Sequence, residues 1–314
     1  MTLTPQLRQR CLTKQDEEKE VPMPCLAPDE STSSHPATTR LSFSFWLPVL
    51  LLFLLGVVNG VAQSSTPSDG VPPDAPFREA LNLGVSAYKA AEYDAAIEHF
   101  KAAVALDPSS ILAHLYLGTA YSNQVVPGLD TPENSAMAAH AIENLRLVPQ
   151  GNDLYVNALK QIAAIFFSLR HLSEARDTNL KVLEVSPADA ETHYTIGVID
   201  WQQAHANALD ALAAQQLNDN GEGNPELRPS ACLELHAKNS HLVEDGLDHL
   251  QRAIALRPTY DDAMAYLNLT YRRRADLACG NDAQRQADVT EAQRWMAEAI
   301  AARKQKAQTA VPRP

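Results

Sequence analysis

The chain has 314 residues and a formal net charge of −12, and beyond residue 40 it carries 21 Lys and Arg against 32 Asp and Glu. Such an acidic surface repels phosphate backbones, which sets nucleic acid aside as a ligand. Four cysteines are too few for a disulfide framework, and none has CxxC spacing.

Residues 1–40 mix Lys, Glu, Pro, Ser and Thr with almost no apolar periodicity, so a disordered amino-terminal arm is expected. Residues 41–62 then supply Phe45-Trp46-Leu47 and an apolar run over 49–58 broken only by Gly56. As a helix these 22 positions would reach ~33 Å, enough for a hydrocarbon core of ~30 Å. They read as a transmembrane helix or as a signal sequence. Gly60-Val61-Ala62 offers a cleavage site near Ala62, whereas the long preceding arm favours a retained anchor. Arg40 before the segment, with Asp69 and Asp74 after it, orients the chain with the rest exported. The expected location is therefore a single-pass membrane protein with its repeats on the periplasmic side, or a secreted or periplasmic one after cleavage. A Ser, Pro and Asp-rich linker occupies 63–76.

From Phe77 onward a period appears. Leu83-Gly84 and Leu117-Gly118 lie 34 residues apart, as do Ala163 and Gly197. The first unit, about 77–110, runs Ala80, Leu83-Gly84, Ala87-Tyr88, Ala96, Phe100, Ala103 and stops at Asp107-Pro108. The second, 111–151, has His114, Leu117-Gly118 and Tyr121, with extra residues over 124–133. The third, 156–189, has Leu159, Ile162-Ala163, Phe166, Ala175 and Ser186-Pro187. The fourth, 190–260, opens with His193, Ile196-Gly197 and Trp201, is interrupted over 202–241, and resumes at Gly246, Leu250, Ala253 and Pro258. The fifth, 261–304, carries Met264, Leu267, Tyr271, Ala292, Met296 and Ala299, and a short tail covers 305–314.

This order of small, aromatic and proline positions resembles the tetratricopeptide repeat family. Small residues such as Gly84 and Ala96 let the paired helices approach, Phe100 fills the wedge between them, and Pro108 ends the second helix. The resemblance implies an all-α, right-handed α-solenoid of about five helix-turn-helix units, each burying its apolar stripe on its neighbours.

Within the interrupted fourth unit the helical pattern persists to Leu217, and 218–225 then favour turns. A lengthened first helix, an exposed loop to about Pro229 and a new helix from Ala231 are expected. Cys232 and Cys279 lie in the two interrupted units and could pair in an oxidising compartment. Free, partly buried thiols are the alternative.

Catalytic patterns are missing from the sequence: there is no GxSxG, no HExxH and no phosphate-cradling glycine loop. The one group of ligand-type side chains is Cys232, His236, His241 and His249, of which only Cys232 and His236 share the i, i+4 face that two ligands need. No cofactor and no metal is expected. Asn268-Leu269-Thr270 fits a glycosylation acceptor inside an expected helix, and Asp261-Asp262 reads as the start of the first helix of unit five.

What remains is a surface. The resemblance implies an inner groove built from the first helix of each unit, with a stripe of Leu81, Val85 and Tyr88; Leu115, Thr119 and Ser122; Lys160, Ala164 and Phe167; Tyr194, Val198 and Trp201; and Ala265, Leu269 and Arg272. Steps of four and then three keep each trio on one helical face. Tyr88, Phe167, Tyr194 and Trp201 read either as anchors for a partner or as packing against the next unit. Leu81 and Val85 stand where the carboxylate-clamp members of the family have Lys and Asn, which speaks against chaperone-tail binding. The expected function is a non-catalytic scaffold for an unidentified protein or peptide at a bacterial-type envelope. The alternatives are a metal-binding or enzymatic site within 202–249, or a self-assembly module.

Overall fold

The computed structural model describes residues 74–310. The expectations for the arm 1–40, the apolar segment 41–62 and nearly all of the linker lie outside the described residues. Among the described residues there are ten helices and no strand, in five consecutive pairs. They are α1 (Ala75–Lys89) with α2 (Tyr93–Leu106), α3 (Ile111–Ser122) with α4 (Pro132–Leu145), α5 (Tyr155–Ser168) with α6 (Leu172–Val185), α7 (Ala190–Ala213) with α8 (Pro229–Leu256), and α9 (Asp261–Ala275) with α10 (Asp282–Ala310). This is the all-α solenoid of helical hairpins.

Close approach within each hairpin depends on the small residues that recur in the sequence. A Cβ on Gly84 would sit 2.4 Å from the Phe100 ring, and one on Gly197 would sit 2.5 Å from Leu250 Cγ and 3.1 Å from the Gly246 carbonyl. Gly118 stands against Leu145 in the same way. Ala163, buried on α5, takes this slot in the third hairpin. In the fifth it is filled by Asn268, which is 1% exposed and accepts from Arg272 Nε at 3.0 Å. A buried Asn inside α9 is out of reach of glycosylation in the folded chain.

The turns after α1 and α5 share one device. Glu92 N donates to Ala87 O and Ala91 N to Tyr88 O, and His171 N to Phe166 O and Arg170 N to Phe167 O repeat the pattern. This paired bonding satisfies carbonyls that the helix end leaves open and needs a left-handed residue. Ala91 and Arg170, both at φ 59, supply it without being glycine. The turns between hairpins bring Pro108 and Pro187 under the next helix, where their carbonyls face His114 Nε2 and His193 Nε2, each at 3.1 Å. Ser110 and Asp189 cap α3 and α7 by accepting from Ala113 N and Thr192 N.

Two large apolar cores result. Ile97, Phe100, Leu117, Leu145 and Ile162 belong to the one that α1 to α5 share, and Leu212, Leu235, Val243, Leu250 and Leu267 to the one that α7 to α10 share. Between them Arg176 on α6 donates Nε to Asp200 Oδ1 at 2.7 Å and Nη2 to Asp245 at 2.9 Å, tying α6 to α7 and α8.

The expected location needs correction. No helix among the described residues is long and apolar enough to cross a membrane. The two longest, α8 with 28 residues and α10 with 29, carry charged side chains on faces turned to water and bury the opposite faces on neighbouring helices. The membrane-anchored and exported placements, which rested on 41–62, are therefore withdrawn: no described helix supports them.

Candidate partner-binding groove

The stripe expected along the first helices splits into an open part and a filled part. Val85, Tyr88, Leu115 and Thr119 line one cleft of ≈ 420 Å³, together with Lys89, Phe100, Tyr116, Leu154, Asn157 and Gln161. α1, α3 and α5 thus each contribute to a single, mainly apolar depression. Its wall is held in place locally. Tyr88 Oη accepts from Asn123 Nδ2 at 2.8 Å, its ring meets Tyr93 edge-on with centroids 5.5 Å apart, and Thr119 Oγ1 donates to Leu115 O. Burial raises the Tyr88 hydroxyl pKa above its ordinary value, so it stays neutral and polar at the rim of the cleft.

Sequence reasoning missed Tyr116, Asn157 and Gln161. A signal for two of them existed: Tyr116 and Gln161 each stand two residues before the small residue of their hairpin, Gly118 and Ala163. That position turns toward the preceding unit and closes the cleft from the side. Of the other early stripe residues, Leu81 is partly buried and Ser122 donates to Thr119 O. Lys160 is occupied by Asp189 at 2.7 Å and Glu191 at 3.2 Å, which makes it a brace to the start of α7. Ala164 is exposed.

Further along, the expected anchors face inward. Tyr194 is 8% exposed, with ring centroids 4.9 Å from Tyr260 and 5.7 Å from Tyr266. Trp201 stacks on His205 at 5.0 Å and meets Tyr266 edge-on at 5.2 Å. Val198 is buried, while Phe167 and Leu269 pack partly buried against the same core; Ala265 packs beside Met264. These side chains join unit to unit, because the aromatic residues of the fifth hairpin arrive against them. Desolvation also raises the pKa of the Tyr194 hydroxyl.

The last stripe residue, Arg272, donates Nη1 to Gly221 O at 2.6 Å, so the 214–228 loop lies across the end of the stripe. This loop is less exposed than its composition suggests: Gly223, Asn224 and Leu227 are buried. Arg273 holds Asp219 at 2.7 Å and Asp276 at 3.1 Å, and Asn224 Nδ2 donates to Asp276 Oδ1 at 2.8 Å. Burial pushes the Asp276 carboxyl up to about 6, and the Arg273 charge brings Asp219 down to about 2 against its own desolvation.

Cys232 and Cys279 form a disulfide with Cα atoms 5.5 Å apart. That removes Cys232 from any thiolate ligand set, and His249 faces His193 instead of His236 or His241. Among the described residues no three His, Cys, Asp or Glu side chains are grouped to hold a metal ion. The basic carboxy-terminal stretch has a partner: Arg303 binds Asp261 at 3.0 Å and Asp262 at 3.2 Å, and Lys306 also contacts Asp261.

Residues 87–125, from the end of α1 through α3, match the family model for the TPR repeat. That segment carries a tetratricopeptide repeat. No curated protein matches the chain. Solved structures similar to this chain include the MamA protein, at 14% identity over 76% of this chain and 98% of that one with a TM-score of 0.49. Another is MamA 41-end from Desulfovibrio magneticus RS-1, at 15% identity over 70% and 96% with a TM-score of 0.44. YrrB, described as a TPR protein with an unusual peptide-binding site, is 14% identical over 72% of this chain and 90% of its own, with a TM-score of 0.43.

Proposed function

We propose that this chain is a non-catalytic scaffold that binds a segment of a partner protein in the cleft between α1, α3 and α5. The observation that carries this reading is the cleft itself: ≈ 420 Å³ of space lined by Val85, Tyr88, Leu115, Tyr116 and Leu154, contributed by the first helices of three successive hairpins. A depression of that size takes one or two large apolar side chains, and the rim offers Tyr88 Oη, Asn157 and Gln161 for hydrogen bonds to a peptide backbone. Lys89 adds one positive charge at the edge, which suits an acidic residue beside the anchor. Recognition there works by packing and desolvation, and the cleft gathers no nucleophile, base or metal ligands.

Selection from a displayed peptide library tests the reading. The intact chain should enrich peptides that share an aromatic or large aliphatic anchor. A Val85→Glu, Thr119→Arg variant, which places charge and bulk inside the cleft, should enrich none of them while keeping its helical spectrum. Equal enrichment by both proteins would move the binding surface elsewhere.

A further inference from the structure

The 214–228 loop is far longer than the three-residue connections, 90–92 and 169–171, that join α1 to α2 and α5 to α6. Closing the α7–α8 hairpin does not require that length. Its middle is instead a seated segment. Arg272 donates to Gly221 O, Arg285 Nη1 donates to Glu222 O at 3.0 Å, and Arg273 binds the Asp219 carboxylate. Three arginines from α9 and α10 thus converge on three residues of one acidic stretch. Gly223, at φ +88, fits so closely that a Cβ there would lie 2.8 Å from Ala275 O. Because Arg272 is a stripe residue, the segment sits where the groove would continue past Trp201.

The seat is clasped covalently at its margin. Cys232 is in the first turn of α8, just after the loop, and Cys279 is in the turn between α9 and α10. Asn224 and Cys279 hold left-handed backbone at φ 41 and 47 without being glycine. That conformation is unfavourable for L-residues and persists only while the surroundings enforce it.

We propose that residues 217–227 are a resident occupant of the carboxy-terminal end of the groove, standing in for an acidic segment of a partner, and that a dithiol releases them by reducing Cys232–Cys279. In that exchange the dithiol's two sulfurs are oxidised to a disulfide. The protein disulfide takes up the two electrons and two protons and becomes two thiols. Release uncovers Arg272, Arg273 and Arg285, whose donors then seek carboxylates and carbonyls from another chain. The idea rests on the reading of the groove as a partner surface, but its readouts lie in the loop and are independent of the α1, α3 and α5 cleft.

Hydrogen exchange on the full chain, with and without dithiothreitol, tests release. Fragments covering 215–228 should exchange about tenfold faster after reduction, with α1 to α9 unchanged, and a Cys232→Ser, Cys279→Ser chain should match the reduced protein. Unchanged loop exchange would overturn the proposal, and so would loss of protection through α8 and α9 together, which would make the bond a plain structural brace. Occupancy is tested with a labelled synthetic peptide of residues 217–226 as the probe. It should bind a reduced Asp219→Asn chain, whose own loop is weakened, and not the oxidised wild type, and Arg272→Gln should abolish the binding. Equal binding to both chains, or to neither, would contradict it.

Discussion

His193 Nδ1 lies 2.8 Å from His249 Nδ1, joining α7 to α8 through two imidazole rings. The Pro187 carbonyl can only accept, so His193 Nε2 carries the proton it donates there, and His193 Nδ1 must accept from His249. That bond lasts only while His193 Nδ1 carries no proton of its own. In the second hairpin Asn144 stands in the place of His249, opposite His114.

This arrangement sets a pH dependence. Burial, then the neighbouring His193 ring and the Arg176 charge, pushes His249 down to about 4. Between its ordinary value near 6.5 and about 4 the unfolded chain binds the proton and the folded chain does not, so stability falls as pH drops through that window. Asp200 and Asp276, both pushed up to about 6 by burial, act with the opposite sign. Comparison with His249→Asn removes their contribution, since both proteins share it. Urea midpoints should show the wild type losing on the order of 2 kcal/mol relative to the variant between pH 7 and pH 4.5, and parallel midpoints would refute the assignment of protons.

The small residues of the repeat carry a second prediction. Gly84→Ala and Gly197→Ala each place a methyl against side chains already in contact, and Phe100 and Leu250 are fully buried with nowhere to retreat. Each should cost about 2–3 kcal/mol of unfolding free energy. An Ala at either site that leaves the thermal midpoint unchanged would mean the helices are not packed this closely.

Turn geometry predicts a gain. Arg170→Gly and Ala91→Gly relieve left-handed residues at φ 59 and should each stabilise by about 0.5–1 kcal/mol, an amount partly offset by the entropy of the unfolded chain. A rise of the denaturation midpoint supports the turn assignment, and a fall counts against it.

The joint between the two cores should be sensitive to charge. Asp200 is fully buried and its carboxylate depends on Arg176. Arg176→Met, which keeps the apolar stem but leaves the carboxylate unpaired, should cost about 3 kcal/mol. Adding Asp200→Asn should restore much of that loss in a double-mutant cycle, and additivity would show that the two do not interact.

Much of this was legible in the chain because the repeat is local. Gly84 with Phe100, and Gly197 with Leu250, follow from a spacing that puts small against large on paired helices. The partition of the groove was not legible. Tyr194 and Trp201 occupy stripe positions by number, and only the arrival of Tyr260 and Tyr266 from the next hairpin turns them into packing. The seat of the 214–228 loop depends on Asp219 meeting Arg273 and Gly221 meeting Arg272, contacts 54 and 51 residues apart, and composition alone marks such a stretch as exposed. The pairing of Cys232 with Cys279 was open for the same reason, since distance between hairpins is set by the stacking.

The claim on which the account depends is that a partner enters the cleft of α1, α3 and α5. Photo-crosslinking measures this directly, with a benzoyl-phenylalanine placed at Thr119 inside the cleft or at Leu233, which is 63% exposed on α8. The account predicts that a peptide selected for binding is captured from Thr119 and not from Leu233. Capture from Leu233 with none from Thr119 would contradict it.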